Sequence, residues 1–212
     1  MMQSNTMSEG TTIAVATRDG PVFPLWLRLS HWLNAVGVVL MVMSGWRIFN
    51  ASPFFPFTFP GAITIGGWLG GALQWHFAAM WIIVVNGLFY LVANLATKRL
   101  FTKFLPLSPK AILGDFMAAL RGRLSHDDPK RYNAVQRAAY LFVMVDLLVL
   151  VLSGLVLWKN VQFPLLRELL GGYETARRIH FFAMAGIVGF FVVHVVMVAL
   201  VPRTLVTMIR GR

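Results

Sequence analysis

The sequence predicts an all-α protein: an integral membrane four-helix bundle with its N and C termini in the cytoplasm. Three observations predict it. Only 13% of the 212 residues are charged and mean hydropathy is +0.69, whereas a soluble domain carries about 25% charged residues. Four apolar segments each approach the roughly 20 residues that cross a bilayer as a helix. The basic residues crowd into the connections that would then face the cytoplasm, the bias that sets membrane topology.

Residues 1–21 are polar and lack an apolar core flanked by small residues, so they read as a cytoplasmic tail and not as a signal peptide. The first apolar segment runs from about Leu25 to Ile48. The connection 49–75 carries no charge, is rich in aromatics and is broken by Pro53, Pro56 and Pro60, so it cannot be one helix. It reads either as a loop resting on lipid headgroups or as a docking surface. The second segment spans about His76 to Ala96. The next connection holds nine basic residues: Lys98, Arg99, Lys103, Lys110, Arg121, Arg123, Lys130, Arg131 and Arg137. The third segment spans about Ala138 to Trp158 and the fourth about His180 to Val201. Between them lie Lys159, Arg167, Arg177 and Arg178, partly offset by Glu168 and Glu174. One domain over 22–205 and a basic C-terminal tail over 206–212 complete the plan. Connections 49–75 and 159–179 then face outward, into the periplasm of a Gram-negative bacterium, and the host membrane is the bacterial inner (plasma) membrane.

Composition excludes several classes of chemistry. There is no cysteine, which removes disulfides, thiolate-held iron–sulfur clusters, thioether-attached haem and a cysteine nucleophile. No phosphate loop, paired carboxylates or Ser/His/Asp set argues for a kinase or hydrolase. The net charge of +11 follows membrane topology and not nucleic-acid binding, because no basic face is interleaved with exposed aromatics.

Four of the five histidines, His31, His76, His180 and His194, lie inside or at the edges of the apolar segments. Ionisable groups in a membrane are costly and mark function. His31 starts the first helix on the cytoplasmic side, and His76 starts the second on the outer side. His180 starts the fourth on the outer side, with His194 fourteen residues further in. At 3.6 residues per turn and 1.5 Å per residue these last two share one face, about 40° apart, and are separated by about 21 Å. That is too far for a shared metal and suits two centres, one per leaflet. Depth therefore pairs His31 with His194 and His76 with His180. Two axial histidines from different helices are what six-coordinate haem b needs. Gly37, Gly45, Gly87, Gly154, Gly186 and Gly189 supply small neighbours for a flat macrocycle, or plain helix–helix contacts. Met80 and Met184, one turn after His76 and His180, read as packing residues.

This plan, with one histidine on each of the first two helices and two on the fourth, resembles the bacterial di-haem cytochrome b family. That family includes cytochrome b561, the b-type cytochromes of Ni/Fe-hydrogenases and the membrane subunits of formate dehydrogenases. Further similar stretches are Arg28-Leu29-Ser30-His31-Trp32-Leu33-Asn34, Met43-Ser44-Gly45-Trp46, and Arg131 to Arg137, with Ser153-Gly154 and Trp158-Lys159. The resemblance covers roughly residues 22–205. It implies two haem b groups, a soluble or peripheral oxidoreductase partner subunit outside, and quinone as a diffusible substrate near the inner haem. By the formate dehydrogenase branch, Asn133 and Gln136 are the quinone candidates. Amides can hydrogen-bond a quinone carbonyl; equally, these two residues suit a capped helix start. No long soluble extension is seen.

Asp146 falls near mid-membrane, as a structural carboxyl or a proton relay. His126, beside Asp127 and Asp128, reads as solvated. Arg47 and Lys159 suit either haem propionates or interfacial anchoring. The reading is thus a membrane electron-transfer subunit, integral in lipid, linking a redox enzyme to the quinone pool. Its rivals are a stand-alone superoxide:quinone oxidoreductase of the same architecture and a haem-free membrane scaffold or transporter.

Overall fold

A computed structural model describes residues 23–98, 108–120 and 133–211. Among these the chain forms α1 (Leu25–Ala51), α2 (Leu69–Ala96), α3 (Pro109–Leu120), α4 (Ala134–Trp158), α5 (Pro164–Leu169), α6 (Tyr173–Leu200) and α7 (Arg203–Arg210), with a single 3-10 turn at Gly61–Ile63. Helices α1, α2, α4 and α6 are long and apolar enough to cross a membrane. The expected four-helix architecture is therefore present, with three short helices added to it. The basic stretch 206–212, read as a tail, is helical through Arg210.

The helices outrun their apolar cores, and for α6 and α4 the overrun has a local cause. Helix α6 begins at Tyr173, two turns before His180, because Gly171 and Gly172 take φ of +76° and +91° and stop anything earlier. Helix α4 begins at Ala134 because Asn133 and Gln136 form a reciprocal capping box. Asp115 on α3 accepts a further bond from the Ala134 N–H at 2.7 Å. Helix α2 begins at Leu69, so His76 also sits two turns inside its helix and not at its start.

Packing is by hairpins: α1 lies against α2, and α4 against α6. The seams repeat every seven residues and are built of small side chains. On α1 the buried positions include Ser30, Gly37 and Ser44; on α2 they include Ala72, Ala79 and Asn86. On α6, Ala176 and Ala183 are buried. Lipid gives helices no hydrophobic reason to associate, so close van der Waals approach between small residues must hold them, and a seven-residue spacing keeps the seam facing its partner. The approach is tight at Gly37, where a Cβ would lie 2.7 Å from Ile83 Cδ1. Asn86 adds a polar tie, its two amide protons going to the Ser30 carbonyl and to Asn34 Oδ1, each at 2.8 Å. Close backbone approach between the two hairpins is sparse by comparison. The outward faces carry exposed Val85, Val92, Val145 and Val193, surface suited to acyl chains and not to water.

The proline-broken connection is ordered and folds back on the bundle. Asn50 clasps Phe59 through both its backbone N–H and its carbonyl, each at 2.8 Å. The Ile65 N–H reaches the Met43 carbonyl at 3.2 Å. Trp46 stacks on Phe59 at 4.7 Å, and Phe49 packs against Phe54, Phe57 and Phe181. An aromatic cap thus joins the end of α1 to α6 next to His180. Overpacking the closest seam tests the hairpin: Gly37→Leu should lower thermal stability in detergent by about 1–3 kcal/mol, with part of the loss recovered when Ile83→Ala is added. Unchanged melting of Gly37→Leu, followed by helical circular dichroism, would show that α1 and α2 do not approach so closely.

Candidate functional site

The fold brings the four membrane histidines together in two pairs, the same pairs read from the sequence. The imidazole of His31 on α1 faces that of His194 on α6, with ring centroids 6.0 Å apart and planes crossing at 65°. His76 on α2 faces His180 on α6 at 6.4 Å and 63°. Both pairs bridge the two hairpins, where backbone contact is sparse. Two imidazoles bound to one metal from opposite sides, with metal–nitrogen bonds of about 2 Å, place their ring centroids roughly 6 Å apart. Among the described residues no three His, Cys, Asp or Glu side chains gather into a metal site. A metal held here by two protein ligands therefore needs its remaining ligands from a non-protein group, which a porphyrin supplies in its plane.

The surroundings fit such a group. A Cβ on Gly45 would lie 3.5 Å from His76 Cε1, and one on Gly154 would lie 3.3 Å from His180 Cε1. Both glycines let the neighbouring helix approach the ring. Near the other level, α4 and α6 line a shallow, open cleft of 470 Å³ walled by Val135, Ala138, Ala139, Phe142, Gly186 and Phe190, among others. Phe190 also stacks on His194 at 5.7 Å.

Two residues that sequence reasoning left without a role touch these rings. Ser44 Oγ lies 3.0 Å from His76 Nδ1, and Ser153 Oγ lies 3.0 Å from His180 Nδ1. Both serines are fully buried. The recurring Ser-Gly step, Ser44-Gly45 and Ser153-Gly154, was the available signal. The imidazoles of His31 and His194 have no hydrogen-bond partner among the described residues.

The other candidates resolve individually. Asn133 Oδ1 accepts from the Gln136 N–H at 2.7 Å, and Gln136 Oε1 from the Asn133 N–H at 3.1 Å. Their amide oxygens thus cap α4, and only the NH₂ groups are left to donate elsewhere. Arg47 donates to the Gly67 carbonyl, and Lys159 Nζ stands 4.9 Å over the Trp158 ring. Arg177, three residues before His180, donates to the Ser52 carbonyl. One carboxyl oxygen of Asp146 is buried without a partner among the described residues, and a Cβ on Gly186 would lie 3.2 Å from it. Met80 and Met184 are half-buried. His126 lies outside the described residues.

Comparison with known proteins gives the family of the chain. The family model described as prokaryotic cytochrome b561 matches residues 22–211. A protein of Azospira oryzae named "Putative protein-methionine-sulfoxide reductase subunit YedZ1" is 66% identical over 190 residues, covering 90% of this chain and 96% of that protein. A "Probable Ni/Fe-hydrogenase B-type cytochrome subunit" of Cupriavidus necator is 27% identical over 192 residues, covering 82% of this chain and 76% of that one. With four membrane-spanning helices and a family match over nearly its whole length, the chain belongs to the prokaryotic cytochrome b561 family: it is a multi-pass protein of the bacterial inner membrane that binds b-type haem and transfers electrons.

Proposed function

We propose that the chain holds two haem b groups, one between His31 and His194 and one between His76 and His180, and carries electrons across the membrane between quinone and a partner oxidoreductase. The observation that carries this reading is the pair of inter-ring separations, 6.0 and 6.4 Å, at two levels of a single helix. Haem b supplies a one-electron iron couple at each level; the protein supplies the ligands, their spacing and a dry setting.

The residues divide that work by level. At the His76–His180 level the aromatic cap around Phe49 and Phe181 excludes water, and Arg47, Lys159 and Arg177 place positive charge at the membrane edge for haem propionates. By the distribution of basic residues this level faces the periplasm, where a soluble partner docks. The relatives' names, which describe subunits of a methionine-sulfoxide reductase and of a hydrogenase, support a subunit over a self-contained enzyme. The 66% identity favours a partner of the first kind, a reductase of oxidised methionine in protein, supplied with electrons from the quinone pool.

At the His31–His194 level the NH₂ groups of Asn133 and Gln136 are donors placed to meet a quinone carbonyl, and the apolar cleft above Val135 offers a wall for the ring. Asp146, midway along α4, fills the seam opposite Gly186 and needs no part in this step.

Pyridine haemochrome analysis of the purified protein should give close to two b-type haems per chain. One would leave a histidine pair without a role, and a value near zero would contradict the reading outright. The quinone site has its own test, designed around the capping box. Asn133→Asp and Gln136→Glu keep an oxygen for each cap and remove the NH₂ donor. Losing such bonds at about 0.5–1.5 kcal/mol each should slow haem reoxidation by quinone up to about tenfold per residue, with both haem spectra intact. Wild-type quinone kinetics in the double variant would exclude these amides.

A further inference from the structure

The two hairpins repeat one arrangement at the His76–His180 level. In each, a buried serine on the first helix meets a histidine on the second: Ser44 on α1 with His76 on α2, and Ser153 on α4 with His180 on α6. The serine hydroxyl is itself bound to the turn before it. Ser44 Oγ donates to the Leu40 carbonyl at 2.6 Å, with the Met41 carbonyl at 3.1 Å. Ser153 Oγ donates to the Val149 carbonyl at 2.6 Å, with the Leu150 carbonyl at 3.3 Å.

A hydroxyl has one proton and two lone pairs. In both serines the proton is committed to a main-chain carbonyl at short range, so toward the histidine the oxygen can only accept. The ring nitrogen 3.0 Å away must then carry the hydrogen. A neutral imidazole bears one hydrogen, so placing it on Nδ1 leaves Nε2 as the bare lone pair. Gly45 and Gly154, each directly after its serine, keep the ring's Cε1 edge clear and let the serine helix come this close.

We propose that Ser44 and Ser153 are positioning residues that fix the tautomer and the plane of His76 and His180, so that both present Nε2 to whatever lies between them. The inference rests on the haem reading above and extends it. A hydrogen bond from the far nitrogen of a ligating histidine raises the ligand's basicity and locks its orientation, and its loss commonly weakens metal retention 10- to 100-fold. A more basic ligand favours the ferric state. The haem at this level is therefore held at a lower potential than the same ligands would give without the serines. The His31–His194 level has no counterpart among the described residues, so the device acts on one haem only.

The test is a potentiometric titration of the full-length protein with Ser44→Ala, Ser153→Ala and both together. The component to follow is the one that disappears in His180→Ala. Its midpoint potential should rise in each single variant and rise further in the double variant, with roughly tenfold or greater loss of that haem on dilution. The other component should not move. The low-spin electron paramagnetic resonance signal of the followed component should shift as well, because the ligand planes are released, and threonine at either position should restore the potential by restoring the hydroxyl. Ser30→Ala, which removes a buried hydroxyl of the same seam that has no partner among the described residues, controls for packing and should leave the followed component unchanged. If two haems are bound but neither serine variant moves potential or signal, the positioning role is wrong and the haem reading stands. If the unmodified protein binds no haem, the haem reading itself falls.

Discussion

Everything in this structure is arranged around the problem of keeping four imidazoles inside a bilayer. An unpaired polar ring in hydrocarbon is costly, and a helix alone cannot shelter one. Helix α6 carries two such rings fourteen residues apart on nearly one face, so it needs a partner ring at both ends of its span. Those partners come from α1 and α2, the hairpin with which α4 and α6 make little backbone contact. The histidine pairs therefore mark the seam between hairpins, and a planar group coordinated by both members of a pair would join the two halves.

Within each hairpin the opposite requirement holds. The backbones must approach closely without hydrophobic help, and small residues every seventh position allow it. Ser30, Gly37 and Ser44 make this seam on α1. The same seam then acquires chemistry at one end: Ser44 and Ser153 are small enough to pack, and polar enough to bond a histidine of the neighbouring helix. Packing and ligand orientation are thus one feature, and the glycine after each serine is part of both. The aromatic cap closes this end of the bundle, held by the clasp of Asn50 on Phe59 and by the contacts of Phe49 with Phe181.

Much of this was legible in the sequence because membrane helices obey few rules. Length and hydropathy located the four spans, and depth with helical angle matched His31 to His194 and His76 to His180 before any contact was known. Helix starts were less legible. Hydropathy registers only the apolar core, whereas α6 starts where Gly171 and Gly172 allow and α4 where Asn133 and Gln136 cap it. The Gly-Gly pair and the Asn-x-x-Gln spacing were visible signals that an apolar scale does not weigh. Helices α3, α5 and α7 are too short or too polar to register on such a scale. Ser44 and Ser153 stayed without a role because a serine in an apolar helix bonds its own i−4 carbonyl by default. Only the three-dimensional meeting with a histidine on another helix shows the second bond.

The central claim is that one helix presents two separate redox centres, each completed by a different helix of the other hairpin. Optical redox titration of His194→Ala beside His180→Ala tests it most directly. The account predicts two b-type components in the unmodified protein, with each variant losing a different one and keeping the other, and with His31→Ala reproducing the loss seen in His194→Ala. Loss of the same component in His194→Ala and His180→Ala, with the second component intact in both, would contradict it.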